Sequence, residues 1–247
     1  MLKAVILDLD DTLYPEISYV KSGFRAAAAF IKKETGAVGA YAKLMRLFNG
    51  DRQKVFDRYC AAEGLPDGMA KRMHDIYVAH EPGIKPYPDA LEFLSECKRR
   101  NIKLGLVTDG RPGQQNAKID ALKICGCFDK IIITDELGGV EYRKPCPRAF
   151  ELMRGAFAAG GGETRKVEYG EIVYIGDNDA KDFTAPNLLG MATVKIIRPD
   201  SLYAGASGGT PAKYEVKDLK EIFGLDFSAP LNAPVETTFL RGKRTYP

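Results

Sequence analysis

The sequence predicts an α/β protein, a doubly wound parallel sheet of Rossmann-like design that carries a small all-helical domain. Three observations lead there. Short apolar runs of strand length alternate with helix-periodic stretches, which argues for parallel strands covered on both faces. The first run, Val5-Ile6-Leu7, stops abruptly in Asp8-Leu9-Asp10-Asp11-Thr12, and such carboxylates belong at a strand's carboxyl end, where open α/β sheets bind ligands. Residues 15 to 85 show helical periodicity alone, unlike the chain on either side.

The elements follow in order. Past the first strand, Tyr14-Pro15-Glu16 breaks the pattern, and Phe24, Ala27, Ala28 and Ile31 recur at helical spacing. Tyr41, Leu44, Met45 and Phe48 mark a second helix, Val55, Phe56, Tyr59 and Cys60 a third, and Met69, Met73, Ile76 and Tyr77 a fourth. This block, 15–85, reads as a separate helical domain inserted between the first two strands, leaving 1–14 and 86–247 as the core. Gly83-Ile84-Lys85-Pro86-Tyr87-Pro88 is the linker back. A helix with Ala90, Leu91, Leu94 and Cys97 inward ends in Lys98-Arg99-Arg100, where cations complement its C-terminus. Strands are predicted at 103–107, 130–133, 172–176 and 192–197, making five with the first, and helices around 117–122 and 150–157. Beyond Arg198, Ala204 to Gly209 reads as a loop, Tyr214 to Lys217 as a short edge strand followed by a brief helix through Phe223, and Ser228 to Pro247 as a surface tail.

Bulk properties narrow the function. At 247 residues with 45% hydrophobic and 28% charged content, the chain is an ordinary globular protein. A net charge of +3 demands neither nucleic acid nor an anionic membrane as partner. No apolar run approaches membrane-spanning length and no cleavable leader follows Met1-Leu2-Lys3, so the expected location is the cytoplasm. Cysteines at 60, 97, 125, 127 and 146 are odd in number and lack zinc-ligand spacing, so reduced thiols are expected. His74 and His80 read as surface or packing residues.

The chemistry collects at strand ends. Asp8 and Asp10 are two apart, so in extended backbone both leave on one face, which suits either a divalent cation or a nucleophile beside an acid/base. Strand two ends in Thr108-Asp109-Gly110, a hydroxyl and then a glycine that lets backbone N–H groups approach an anion, and Arg111 follows directly. Lys144, in Arg143-Lys144-Pro145-Cys146-Pro147, precedes a helix and offers a point charge to a phosphate. Strand four ends in Gly176-Asp177-Asn178-Asp179-Ala180-Lys181-Asp182, whose acids are hard oxygen ligands of the kind magnesium prefers.

Taken in order, D-L-D-D-T at 8 to 12, Thr108 after its strand, Lys144 in K-P-x-P and G-D-x-x-x-x-D at 176 to 182 resemble the haloacid dehalogenase superfamily of hydrolases. The wording V-T-D-G-R, R-K-P-x-P-x-x-F and G-D-N-x-A-K-D-F is similar to the phosphatase branch whose helical cap is inserted after the first motif. The resemblance implies that Asp8 is the nucleophile, forming an aspartyl phosphate, and that Asp10 is the general acid and then base, which requires a raised pKa. It implies that Thr108 and the N–H of Asp109 hold phosphoryl oxygens with Gly110 and Arg111 beside them, and that Lys144 neutralises charge. Magnesium would be held by Asp8, the backbone carbonyl of Asp10 and Asp177, with Asp182 acting through water or behind them. Two departures stand out: Asp109 replaces the family's frequent Asn, and Asp179 adds an acid expected to be exposed and idle.

The implied activity is hydrolysis of a small phosphorylated metabolite, a sugar phosphate or nucleoside monophosphate, by a monomer or homodimer. Dehalogenases of the superfamily lack the second acid, because a halide needs no proton. A phosphomutase and a non-catalytic phosphate-binding protein remain as alternatives.

Overall fold

The computed structural model describes residues 2–159, 167–203 and 208–227. The predicted loop at Ala204–Gly209 falls largely outside these residues, and the tail from Ser228 lies wholly outside them. Among the described residues six strands form one sheet: β1 (Ala4–Leu7), β2 (Lys103–Thr108), β3 (Lys130–Ile133), β4 (Ile172–Gly176), β5 (Ala192–Ile196) and β6 (Tyr214–Val216), in the order β3-β2-β1-β4-β5-β6. Every neighbouring pair is parallel. The fold is thus the predicted α/β class, with β6 as the edge strand that Tyr214 to Lys217 suggested.

The alternation of β1 builds two cores. Val5 and Leu7 pack among Phe93, Leu94, Ile119 and Leu122 of α5 (Pro88–Arg99) and α6 (Pro112–Leu122). Ala4 and Ile6 point the other way, towards Phe150, Met153 and Phe157 of α7 (Arg148–Ala159) and Tyr174 of β4. Because the side-chain period is two, Asp8 continues the Ile6 face and Leu9 the Val5 face. Pro88 and Pro112 each occupy a first helical turn, where the missing N–H costs nothing.

On α5 the inward face differs in one residue from that expected. Leu91 is 48% exposed, while Phe93 is fully buried. Ala90, Phe93, Leu94 and Cys97 follow the i, i+3, i+4, i+7 rule strictly, and Leu91 is a quarter-turn off it.

Between β1 and α5 stand four helices: α1 (Glu16–Thr35), α2 (Ala40–Gly50), α3 (Val55–Ala62) and α4 (Met69–Ala79). They share a core of their own, including Phe24, Ile31, Leu44, Phe56, Tyr59 and Met73. Phe24 meets Phe48, Phe56 and Tyr77 at ring separations of 5.7 Å each, so one aromatic ring ties α1 to the other three helices. Gly36 ends α1 with φ of 73° and donates its N–H to Lys32 O, a left-handed cap that favours glycine. No helix among the described residues is long and apolar enough to cross a membrane. The five cysteines are free thiols, and His80 packs against Tyr19 with ring centroids 4.9 Å apart.

Candidate active site

The centre of the sheet brings the strand-end residues together. The N–H of Asp8 donates to Ile175 O at 2.9 Å, extending the β1–β4 register by one residue and setting Asp8 beside the end of β4. Asp8, Asp177 and Asp182 each place a carboxylate oxygen within 4.8 Å of the others. Lys144 reaches the same point from the loop before α7, its Nζ 2.6 Å from Asp8 and 2.7 Å from Asp182, with all three side chains at most 1% exposed. Tyr174, inside β4, donates its hydroxyl to Asp182 at 2.9 Å and accepts from Lys144 at 3.1 Å. Gly176 makes room for this knot, since a Cβ there would lie 2.6 Å from Asp182 Oδ2.

Burial and charge set the protonation of the group. Burial pushes Asp8 up to about 6 against the pull of Lys144. Asp177 is pushed up to about 8, by burial first and then by Asp8 and Asp182. Asp182 is buried as well, yet Lys144 and Lys181 hold it below the usual carboxylate range. Burial opposes charge on Lys144, but Asp182 and Asp8 outweigh it and hold the ammonium above its ordinary range. Asp8 Oδ2 is buried with no hydrogen-bond partner. An orphaned carboxylate oxygen amid three acids, two of them resisting ionisation, fits a hard divalent cation with oxygen ligands.

Asp10 faces elsewhere. Its carboxylate accepts from Lys118 Nζ at 2.8 and 3.0 Å and from the hydroxyl of Tyr14. The expectation of a raised pKa at Asp10 is not met: burial works in that direction, but Lys118 and Tyr14 stabilise the anion more and hold it below the usual range. The carboxyl pushed up on this side is Glu16, to about 8, by burial and by Asp10.

A cavity of about 480 Å³ opens over these groups, lined by Asp10, Asp109, Gly110, Arg111, Lys118 and Asp177 from the sheet side and by Glu16, Tyr19 and Tyr77 from the inserted helices. Thr108 is buried and its hydroxyl accepts from Gln115 at 2.5 Å. The Asp109 side chain is engaged in structure: it accepts from Thr134 at 2.9 Å and from the backbone N–H of Lys144 at 3.1 Å, tying the Lys144 loop to the end of β2. Arg111 stands exposed at the rim, in extended backbone just before α6. Asp179 is not idle, for it pairs with Lys195.

Sequence reasoning missed Lys118, Gln115, Tyr174, Glu16, Lys181 and the loop after β5. In that loop Ser201 Oγ donates to Asp177 at 3.1 Å and the Leu202 N–H to Asp11 at 2.7 Å. Arg52 of the inserted helical segment donates to Leu202 O at 2.5 Å and lies over the Tyr203 ring.

Comparison with known proteins gives the family of the chain. A glyceraldehyde 3-phosphate phosphatase of Methanopyrus kandleri is 31% identical over 212 residues, 80% of this chain and 85% of that protein. The protein of the same name from Methanocaldococcus jannaschii is 28% identical over 236 residues, 90% of this chain and 96% of that one. The crystal structure of a HAD-superfamily hydrolase, subfamily IA, variant 1, from Geobacter sulfurreducens superposes with a TM-score of 0.64 at 16% identity, over 90% of this chain and 95% of that one, and so shares the fold. The model of the haloacid dehalogenase-like hydrolases matches residues 2–190, and the chain belongs to that family of hydrolases.

Proposed function

We propose that this hydrolase is a magnesium-dependent phosphatase of a small phosphorylated metabolite, working through an aspartyl phosphate on Asp8. The observation that carries the reading is the buried contact of Lys144 with Asp8 at 2.6 Å, with the other Asp8 oxygen unpartnered. Lysine favours the ionised carboxylate against the rise that burial imposes, so a nucleophile is kept ready in a site shielded from water.

Asp8 attacks phosphorus, the Asp8 O–P bond forms as the ester P–O bond breaks, and the leaving alkoxide takes a proton from Asp10. Asp10 takes up that proton from solvent as the substrate binds, because the phosphoryl group brings negative charge beside it and offsets the pull of Lys118. Water then attacks phosphorus, Asp10 recovers a proton from it, and Asp8 is released. Thr108 and the N–H of Asp109 bind phosphoryl oxygens, while Lys144 balances the charge that accumulates between them and Asp8. Magnesium would be held by Asp8, the carbonyl of Asp10 and Asp177, with Asp182 behind them, and when bound it would neutralise both the acid cluster and the phosphoryl oxygens.

The helices at 15–85 act as a cap domain over the core, and the part of the 480 Å³ cavity that they line selects the leaving group. The relatives' names favour a triose phosphate among sugar phosphates. Free thiols agree with a reducing compartment, and the cytoplasm is part of this reading. The test is phosphate release from a panel of triose phosphates, hexose phosphates, nucleoside monophosphates and an aryl phosphate, with and without magnesium. Wild type should hydrolyse at least one class with magnesium and none with chelator, and Asp8→Asn should lose at least about a thousand-fold in rate. Magnesium binding without hydrolysis of any member would overturn the reading.

A further inference from the structure

Lys118 sits in the middle of α6 with a side chain only 7% exposed, and a buried ammonium is costly unless it is paired. Its ion-pair partner is Asp10, both of whose oxygens it meets, at 2.8 and 3.0 Å. Its other flank lies under the ring of Tyr19 from α1, 4.6 Å from the centroid. Gln114 reinforces that cover by donating to the Tyr19 hydroxyl at 3.2 Å. Gln115, on the same helix, spans Thr108 at 2.5 Å and Asp10 at 3.3 Å.

Lys118 adds to the hold of Tyr14 on Asp10, whose backbone supplies little. Asp10 lies past the end of β1, in a turn where Asp11 has φ of 51° and the strand pairing has shrunk to a single bridge between Asp10 and Tyr14. By contrast α6 is anchored by Ile119 and Leu122 in the core. A group on a rigid helix that grips both oxygens of a carboxylate on a turn fixes that carboxylate's direction.

We propose that Lys118 is a positioning residue of the reaction: pinned between α6 and Tyr19, it aims the carboxyl of Asp10 at the leaving-group oxygen. This rests on the phosphatase reading above and adds to it the residue that orients the proton donor. The Asp10 proton passes to the alkoxide as the ester P–O bond breaks, and Lys118 itself neither gains nor loses one.

An alkyl leaving group needs that proton far more than an aryl one, whose oxyanion is stable by itself. The experiment therefore compares kcat/KM, which reports on phosphoryl transfer to Asp8, for glycerol 3-phosphate and p-nitrophenyl phosphate. Lys118→Met should lose at least about ten-fold more on the alkyl than on the aryl ester, and Lys118→Arg should recover part of the difference. Thermal unfolding of both variants separates folding from function, and Tyr19→Phe, which keeps the ring, should show no such selectivity. Should Lys118→Met fail to fold, Lys118→Arg and Lys118→Gln carry the comparison. Equal losses on both esters, or none, would overturn the role of Lys118 while leaving the phosphatase standing. A wild-type protein that hydrolyses neither ester nor any other overturns both.

Discussion

The two sides of the candidate site are built on opposite plans. Around Lys144 the side chains of Asp8, Asp182 and Lys144 are at most 1% exposed, and Tyr174 closes the group from within the sheet. Around Asp10 the groups face a cavity of about 480 Å³ whose far wall belongs to another set of helices. The first side is completed by one polypeptide layer and the second only where two layers meet. On the proposed reading, chemistry can thus stay constant on one side while the shape of the cleaved molecule varies on the other.

Crowding the dry side should do the most damage. Gly176→Ala would set a Cβ 2.6 Å from the Asp182 carboxylate, which Lys144 and Tyr174 hold in place, so relief must come from backbone movement. A loss of about 1–3 kcal/mol in denaturant unfolding is expected, together with most of the activity. If Gly176→Ala keeps full stability and rate, the dry side is less tightly packed than its distances imply.

A smaller effect comes from pH. Asp177 is raised from an ordinary 3.8 to about 8 in the folded protein. Below the lower value both states hold the proton. Between the two the unfolded chain ionises while the folded one does not, so this group removes stability as pH rises, until the folded form also ionises near 8. Metal-free Asp177→Asn should therefore show a flatter decline in stability from pH 5 to pH 8 than wild type, measured by urea unfolding in chelator. Magnesium should flatten the wild-type curve in the same way.

The smallest effect belongs to the open side. Arg111 is exposed at the cavity rim, where an ionic contact is worth up to about 1 kcal/mol. Arg111→Ala should raise KM about five-fold for an anionic substrate and leave kcat nearly unchanged, as steady-state assays would show.

The same division explains what could be read from the chain alone. Asp8, Thr108, Lys144 and Asp177 announce themselves because each ends an apolar run or opens a proline-marked loop, so a polar side chain there is conspicuous. Tyr174 hides inside an apolar strand, where its ring satisfies the core and its hydroxyl leaves no pattern. Lys118 is one of 36 basic residues and sits on a helix whose ordinary cations face water. Only the approach of α6 to the turn after β1 buries it against Asp10, and local spacing carries no trace of that approach. The low pKa of Asp10 was missed for the same reason, since its cause lies more than a hundred residues away in sequence. Strand order was legible only as far as parallel pairing, whereas the central place of β1 depends on contacts with both β2 and β4.

That central place also governs how the protein is made. Ala4 pairs with Lys103 on one side and Ile172 on the other, so the strand that leads to Asp8 waits for two widely separated partners. Pairings so distant in sequence fold slowly, because loop-closure entropy is lost before contacts compensate it. A nascent chain that has emerged only as far as α7 holds β1 with one edge unpaired and wholly apolar. In that interval β1 is open to joining another molecule, and a chaperone that shields it would raise the yield of folded protein.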